Sequence, residues 1–531
     1  MTARNRIGID PIAHCHLIEN HDEACYLWKE AGVRHRTLVH IDAHHDMYGG
    51  WDEGKSNVTI ANYVLPAVLE GIVDEVVWVV ADRMFESRAG RSFLMRQVTR
   101  LPSRPATAAV VPRFEHNRIE SCVFDSPLIV CGLSQLPCRQ DVLLDIDVDF
   151  LIQERLHRNP ANFGEIPWLW PDQLVDRLKR QRVSSHLVTI AYSVEGGYTP
   201  LQWRHLGEQL ALHLRSPQTD AGLEAAYRLL NEAVRRYPNE KCLDTAIATT
   251  NKALRLAPSL AGGWFQLSHL YAARGTVAEA RDAYRRAVEL DPGYRDRLRN
   301  SWIGAIRKRR WEEARGALAR YHLFDPEHPQ TRLGLGMLAI HDKDWGGACT
   351  HLEKVVETTP GDFDAQRLLG SAYRRTRQTD RAIAALQRSI KLSVNGATSC
   401  LDQRIMTHRP SGYMGDRRHK DTYFIIADLY RSQGARDKAI QFYRLGLAFC
   451  RTPALAARLR LLSLLLKNRN YPLLRKETNS ALRHLLSAFS LPAIKRGWGT
   501  LLNARTLIRK AYPQPRQTLP SLWRQSYQRH R

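Results

Sequence analysis

The sequence predicts a chain of two parts, an α/β domain built on a mostly parallel sheet with helices on both faces, followed by an all-α superhelix. Three observations carry this expectation. At 531 residues the chain exceeds what one ordinary core organises, so two or more domains are expected. Through about residue 215, short apolar runs of strand length alternate with helical patterns, which is the signature of parallel strands joined by crossover helices. From about residue 216 the sequence turns rich in Ala, Leu and Arg with helical periodicity, and it repeats every 34 residues.

The elements follow in order. Cys25, Leu27 and Trp28 form one face of a short helix, with His21 just before its start. Thr37 to Ile41 reads as a buried strand that stops on Asp42, His44 and Asp46. The stretch SNVTIANYVLPAVLEGIVDEVVWVVADR reads as a capped helix, a turn at Gly71 and a strand near Val76 to Val80. Leu128 to Cys131 is a further short strand. Asp141 to Leu151 (DVLLDIDVDFL) reads as a strand with Asp145, Asp147 and Asp149 at alternate positions, all on one face. Asp172 to Arg182 is helical, and Leu187 to Tyr192 is a last strand before SVEGGYTP.

In the second part, lines of 34 residues starting at 227, 261, 295, 329 and 363 place Ala246, Ala280, Ala314, Ala348 and Ala382 in one column. The line at 261 carries Trp264, Leu267, Tyr271, Ala280, Tyr284, Ala287 and Pro292 at the positions of a tetratricopeptide repeat. A sixth unit with Tyr423, Tyr430, Ala439 and Tyr443 follows an insertion near 394–419, where Arg417, Arg418, His419 and Lys420 read as solvent loop. The expected division is therefore 1–215, repeats over 216–453, and a helical cap with a basic tail over 454–531. Stacked helix pairs of this kind present a concave face to peptides or partner helices.

Composition narrows the function. Hydrophobic content of 44% and charged content of 25% are those of a soluble globular chain. No run nears the length of a membrane span and the first residues lack a signal peptide's apolar core, so a cytoplasmic protein is expected. The nine cysteines show no CxxC pair, which points to free buried thiols rather than a zinc ribbon or a disulfide framework. The net charge of +24 is uneven: residues 1–215 carry 23 basic against 27 acidic residues, so the remaining chain carries +28. That field steers acidic peptides toward the repeats. The tail from Lys467, with 14 basic residues, one acid and the aromatics Trp498, Trp523 and Tyr527, reads as a solvated cap and loose end rather than a nucleic-acid contact.

The chemistry sits at strand ends, where open α/β sheets place their ligands. Asp42, His44, Asp46, Asp147 and Asp149 form an oxygen-rich set, and carboxylates crowded on buried strand ends repel one another unless cations neutralise them. Such a set suits manganese or iron better than structural zinc, and four carboxylates balance two divalent ions. His40 and His45 read as packing beside the ligands, and Trp168 and Trp170 as core.

HIDAHHDM and DIDVDFL resemble the DAHxD and DxD signatures of the ureohydrolases, the arginase and agmatinase superfamily. With ENHDEA, SNVTIANYVLPAVLEGIVDEVVWV and SVEGGYTP in the same order, roughly residues 10–205 look most like the peptide arginase branch. That branch converts arginine side chains of ribosomally made precursor peptides to ornithine. The resemblance implies an arginase-like fold and two Mn²⁺ held by His21, Asp42, His44, Asp46, Asp147 and Asp149, with Asp42 as a bridge and Asp145 outside the ligand set. It also implies that Glu195 faces the guanidinium, which a carboxylate pairs bidentately, and that water attacks the guanidinium carbon and breaks its bond to Nε, so that urea leaves and Nε stays on the side chain as the ornithine amine. Two departures stand out: no HGxP-like stretch supplies a proton-shuttle histidine, and FLIQE replaces the Asp-Pro that usually follows the DxD run.

The short domain leaves few residues for loops that clamp a free amino acid, which favours a peptide-borne arginine, with the repeats holding an acidic leader as a tethered partner. The competing readings are a ureohydrolase of free arginine, agmatine or another small guanidino compound, and an interaction scaffold with an inactive N-terminal domain. A deacetylase of related fold needs fewer acidic ligands than are present.

Overall fold

The computed structural model describes residues 14–49, 58–102, 111–153, 166–215, 221–236, 242–298, 300–307, 309–394, 411–448, 450 and 454–487. The expected N-terminal α/β sheet and the C-terminal array of paired helices are both present. The basic tail beyond residue 487, with Trp498, Trp523 and Tyr527, lies outside the described residues, as do residues 395–410 of the insertion.

Eight strands form one sheet: β1 (His14–Ile18), β2 (Arg36–Ile41), β3 (Val73–Val80), β4 (Arg113–Glu115), β5 (Arg118–Val123), β6 (Ser126–Gly132), β7 (Val142–Asp147) and β8 (Ser185–Ala191). Their order is β1-β8-β7-β2-β3-β6-β5-β4. The first six in that order are parallel, while β5 and β4 form an antiparallel edge. Successive residues of the central strands are apolar on both faces, as a doubly covered sheet requires. Val39, Ile41, Leu144, Ile146, Val188 and Ile190 pack on one face with α5 (Pro171–Arg180) and α6 (His205–Arg215). Leu38, Val76, Trp78 and Leu143 pack on the other with α1 (Asp22–Glu30), α2 (Val64–Leu69) and α4 (Arg88–Val98), α3 (Arg83–Glu86) lying between the last two in sequence. The turn into β3 takes positive φ at Gly71, where a side chain would strain the backbone.

The sheet order does what the sequence alone did not foresee. β1, unexpected from the sequence, lies beside β8, so the carboxyl ends of β1, β8, β7 and β2 stand in a row. The Asp strand is shorter than predicted: β7 ends at Asp147, and Val148–Leu151 is a 3-10 turn, so Asp149 does not share the strand face. The cause is local, because the Asp147 carboxylate accepts the Asp149 N–H at 2.8 Å and turns the backbone out of the ladder.

The helices after the sheet pack as pairs: α7 (Ala221–Arg236) with α8 (Leu243–Leu256), and α9 (Ala261–Arg274) with α10 (Val277–Leu290). After the short α11 (Gly293–Asp296) come α12 (Asn300–Arg307) with α13 (Trp311–Phe324), and α14 (Pro329–His341) with α15 (Trp345–Thr358). Contacts gather the chain through Thr358 into one compact unit. The second unit holds α16 (Phe363–Arg375) with α17 (Thr379–Val394), α18 (Ser411–Ser432) with α19 (Arg436–Ala448), and α20 (Leu455–Lys467) with α21 (Tyr471–Ser487). The alanine column explains itself: Ala246, Ala280, Ala314, Ala348, Ala382 and Ala439 are all fully buried, where each helix pair approaches too closely for a larger side chain.

Two smaller expectations need correction. Residues 417–420 are helical, inside α18, rather than loop. The described cysteines are free, but Cys138 is exposed and Cys122 and Cys242 are only half-buried.

Candidate metal centre

Four strand ends build the centre. His21 caps the start of α1 three residues after β1, Asp42, His44 and Asp46 follow β2, Asp147 closes β7, and Glu195 follows β8. The Asp42 carboxylate accepts the His44 N–H at 2.7 Å, the same two-residue turn that Asp147 makes with Asp149. Asp46 sits at φ +49°, a left-handed conformation that Asp tolerates, and its carboxylate thereby turns back toward His21.

The result is a convergence on one imidazole nitrogen. His21 Nδ1 lies 3.1 Å from Asp42 Oδ2, 3.3 Å from Asp46 Oδ2 and 3.3 Å from Asp147 Oδ2. Beside it, His44 Nδ1 lies 3.1 Å from Asp149 Oδ2 and 3.5 Å from Asp42 Oδ1. Asp42 thus turns one oxygen to each group. Two sets able to hold an ion share it: His21, His40 and Asp42, and Asp42, His44 and Asp149. The six expected ligands are all at this point in the fold. Glu195 stands at the edge, its Oε2 accepting from Asn20 Nδ2 at 3.1 Å, one residue before His21.

The electrostatics call for a cation. Asp42, Asp46, Asp145, Asp147 and Asp149 are all buried, and the basic groups within ion-pairing distance of them, among the described residues, are imidazoles. Burial and the charges of Asp147 and Asp42 hold Asp149 well above the ordinary carboxylate range. Burial and the Asp42 charge push Asp46 up to about 6. Burial disfavours charge on His21 and His44 too, yet the facing carboxylates hold both well above the usual imidazole value, so protons stand where a metal would. His21 Nδ1, Asp42 Oδ2 and Asp149 Oδ1 are buried without a directed hydrogen bond, as ligand atoms are when their ion is removed. The donor set, carboxylate-rich with two or three imidazoles, could hold a metal ion.

Sequence reasoning missed the layer that holds these groups. Asp145 accepts from Tyr63 OH at 2.5 Å and from Thr189 Oγ1, and stands 3.1 Å from His40 Nδ1 and 3.0 Å from His21 Nε2. Fixing the far nitrogen of His21 aims its Nδ1 at the other carboxylates. A signal existed, since His40, Asp145 and Thr189 face one another in register across β2, β7 and β8 as a polar row in apolar strands. Ser193 Oγ donates to Asp147 at 2.6 Å and Gln153 Nε2 to Asp149 at 3.1 Å. His40 is nearer to ligand geometry than its packing reading implied, with Nε2 3.4 Å from Asp42 Oδ2. His45 points elsewhere: its Nδ1 accepts the Met47 N–H at 2.9 Å, and burial lowers it to about 4, so it stays neutral. Trp168 and Trp170 belong to the core cluster on the α5 and α6 face.

Comparison with known proteins divides along the same line as the fold. Tetratricopeptide-repeat models match residues 261–294, 421–451 and 344–396. The C-terminal half carries tetratricopeptide repeats. No curated protein matches the chain. Among solved structures, it is similar to the Cut9–Hcn1 hetero-tetramer of the APC/C, at 20% identity over 48% of this chain and 44% of that one, with a TM-score of 0.24. It is also similar to PilF of Pseudomonas aeruginosa (17% identity, 42% of this chain, 91% of that one, TM-score 0.22). A third is YrrB, a TPR protein with an unusual peptide-binding site (19%, 37% and 97%, TM-score 0.19). This chain spans less than half the length of the first of these. No helix among the described residues is long and apolar enough to cross a membrane.

Proposed function

We propose that this protein is a metal-dependent peptide arginase that hydrolyses arginine side chains of a precursor peptide to ornithine and urea, its repeat array holding the peptide. The observation that carries the reading is the convergence of Asp42, Asp46 and Asp147 on His21 and of Asp42 and Asp149 on His44, on the rim where β1, β8, β7 and β2 end, with Glu195 bonded to Asn20 one residue before His21. His21, Asp42, Asp46 and Asp147 would hold one Mn²⁺, and His44, Asp42 and Asp149 the other, with Asp42 as the bridge. Mn²⁺ supplies positive charge to the cluster and makes water acidic enough to serve as a nucleophile at neutral pH.

The chain's own groups do the rest. Glu195, half-buried, offers a carboxylate to the planar guanidinium, and two parallel hydrogen bonds fix that plane beside the donor sets. Asn20 steadies the carboxylate from the side. Tyr198 lies edge-on to His44 with ring centres 5.0 Å apart and forms an aromatic wall on which the arginine stem can rest. Asp145 keeps His21 in one tautomer, and Ser193 orients Asp147.

The test is incubation with Mn²⁺ and arginine-containing precursor peptides, following arginine-to-ornithine conversion by mass spectrometry and urea by assay, with Asp147→Ala as control. Conversion by the wild type alone supports the reading. Urea from free arginine or agmatine but from no peptide moves the assignment to a small-molecule ureohydrolase. No urea and no bound metal leaves the repeat array as the working part, an interaction scaffold.

A further inference from the structure

The repeat array is not merely attached beyond the α/β domain; it is built into the floor of the Glu195 loop. Tyr192, Val194 and Leu201, which bracket that loop, share one apolar cluster with Phe265 of α9, with Tyr294 and Leu298 at α11, and with Trp302 of α12. The approach is close enough to require glycine: a Cβ on Gly262 would stand 2.5 Å from that of His205. Arg204 crosses the junction, pairing with Asp291 and, at 2.8 Å, with Glu208, its guanidinium 4.0 Å above the Tyr192 ring.

One further charge crosses the junction toward the site. Arg297, which closes α11, places its Nε 2.7 Å from Oε2 of Glu19. The other oxygen, Oε1, accepts the backbone N–H of Glu195 at 2.9 Å. The Glu19 carbonyl also accepts the Ser193 N–H at 3.1 Å, so both ends of the turn that presents Glu195 hang on Glu19. The side chain of Glu19 is only 11% exposed, and a carboxylate that deep keeps a fixed orientation when a cation answers its charge.

We propose that Arg297, supplied by the repeat array, is a positioning residue for Glu195, acting through the carboxylate of Glu19. The inference rests on the reading of Glu195 as the group that faces the guanidinium. It makes the first repeats part of the site. A peptide that shifts α11 on binding would also shift the loop that receives its arginine.

Amide hydrogen exchange over residues 193–199 tests the contact without activity. In the full-length metal-loaded protein, Arg297→Ala, which removes the ion pair, and Glu19→Gln, which removes the charge, should each speed exchange there roughly tenfold by weakening the hydrogen bond from the Glu195 N–H to Glu19, while the sheet strands stay protected. Arg297→Lys should restore most of the protection. With a guanidino substrate, Arg297→Ala should raise KM with little change in kcat, and Mn²⁺ stoichiometry by calorimetry should hold. Unchanged exchange at 193–199 overturns the proposal. So does exchange that rises over the whole chain in both variants, because the contact would then serve general stability. If the wild type releases no urea from any substrate, the functional reading falls, while the exchange data still decide the link from Arg297 to Glu195.

Discussion

Two groups of acidic side chains, one half-buried and one buried, lie in the first compact unit, and they are balanced in opposite ways. In the junction group, Glu19, Glu208 and Asp291 are answered by guanidinium groups, from Arg204 and Arg297. In the strand-end group, five aspartates face only imidazoles. Where a chain supplies its own permanent cations, buried acid serves architecture. Where it supplies only imidazoles, whose charge is lost as pH rises, a metal ion could take their place, and the difference separates a girder from a socket.

The largest test of that contrast removes a ligand. Asp147→Ala should cut Mn²⁺ affinity and urea release by more than about a hundredfold, the upper end of what loss of an outer-shell partner costs. Metal content and turnover measure it; unchanged stoichiometry would place Asp147 outside the ligand set. Arg204→Met comes next. It leaves the half-buried Glu208 and Asp291 without their cation, so denaturant unfolding should show a loss of about 1–3 kcal/mol, the same with and without Mn²⁺. A loss that Mn²⁺ repairs would erase the distinction between the two groups.

The pH dependence sharpens it further. A group whose folded value is raised contributes stability that is lost as pH climbs through that value, and Asp46 is raised from the ordinary carboxylate value to about 6. His21 and His44, also raised, act in the same direction on the alkaline side. The Asp46 contribution, on the order of 2–3 kcal/mol, should therefore be lost from the metal-free protein between pH 4 and 7 and restored by Mn²⁺. The opposite contribution of His45 and His205, both lowered to about 4, is common to the two forms and cancels in their difference. Melting curves with and without Mn²⁺ should diverge as pH rises; parallel curves would count against the socket. The smallest effect is the most pointed. Asp149→Asn removes one of the crowded charges, so the metal-free protein should gain about 1–2 kcal/mol while losing the Mn²⁺-dependent gain.

Much of this was legible in the sequence, for reasons that differ by region. The repeats declare themselves because every pair needs a small residue at its closest approach, which writes Ala246 through Ala439 into a column. Asp42, His44 and Asp46 were legible because polar residues interrupt an apolar strand at its carboxyl end. Asp149 was misplaced onto a strand face, since the alternation of DIDVD does not reveal that Asp147 bends its own backbone. β1 escaped notice because HCHLI lacks the apolar run of a central strand; it is an edge, paired on one side by β8. The link from Arg297 to Glu19 leaves no pattern at all, being a single pair between distant segments.

The pairing of β1 with β8 bears on how the protein is made. His14 finds its ladder partner only at Leu187, so β1 waits through synthesis of the six intervening described strands for its neighbour in the sheet. Until then His21 has no fixed place, and the apolar face of β8's loop lacks its cover until α12 has emerged as well. Non-local closure of this kind is slow and leaves sticky intermediates. Synthesis of a competent centre is thus a late event in translation, and yield in a heterologous host should depend on chaperone supply more than on metal supply.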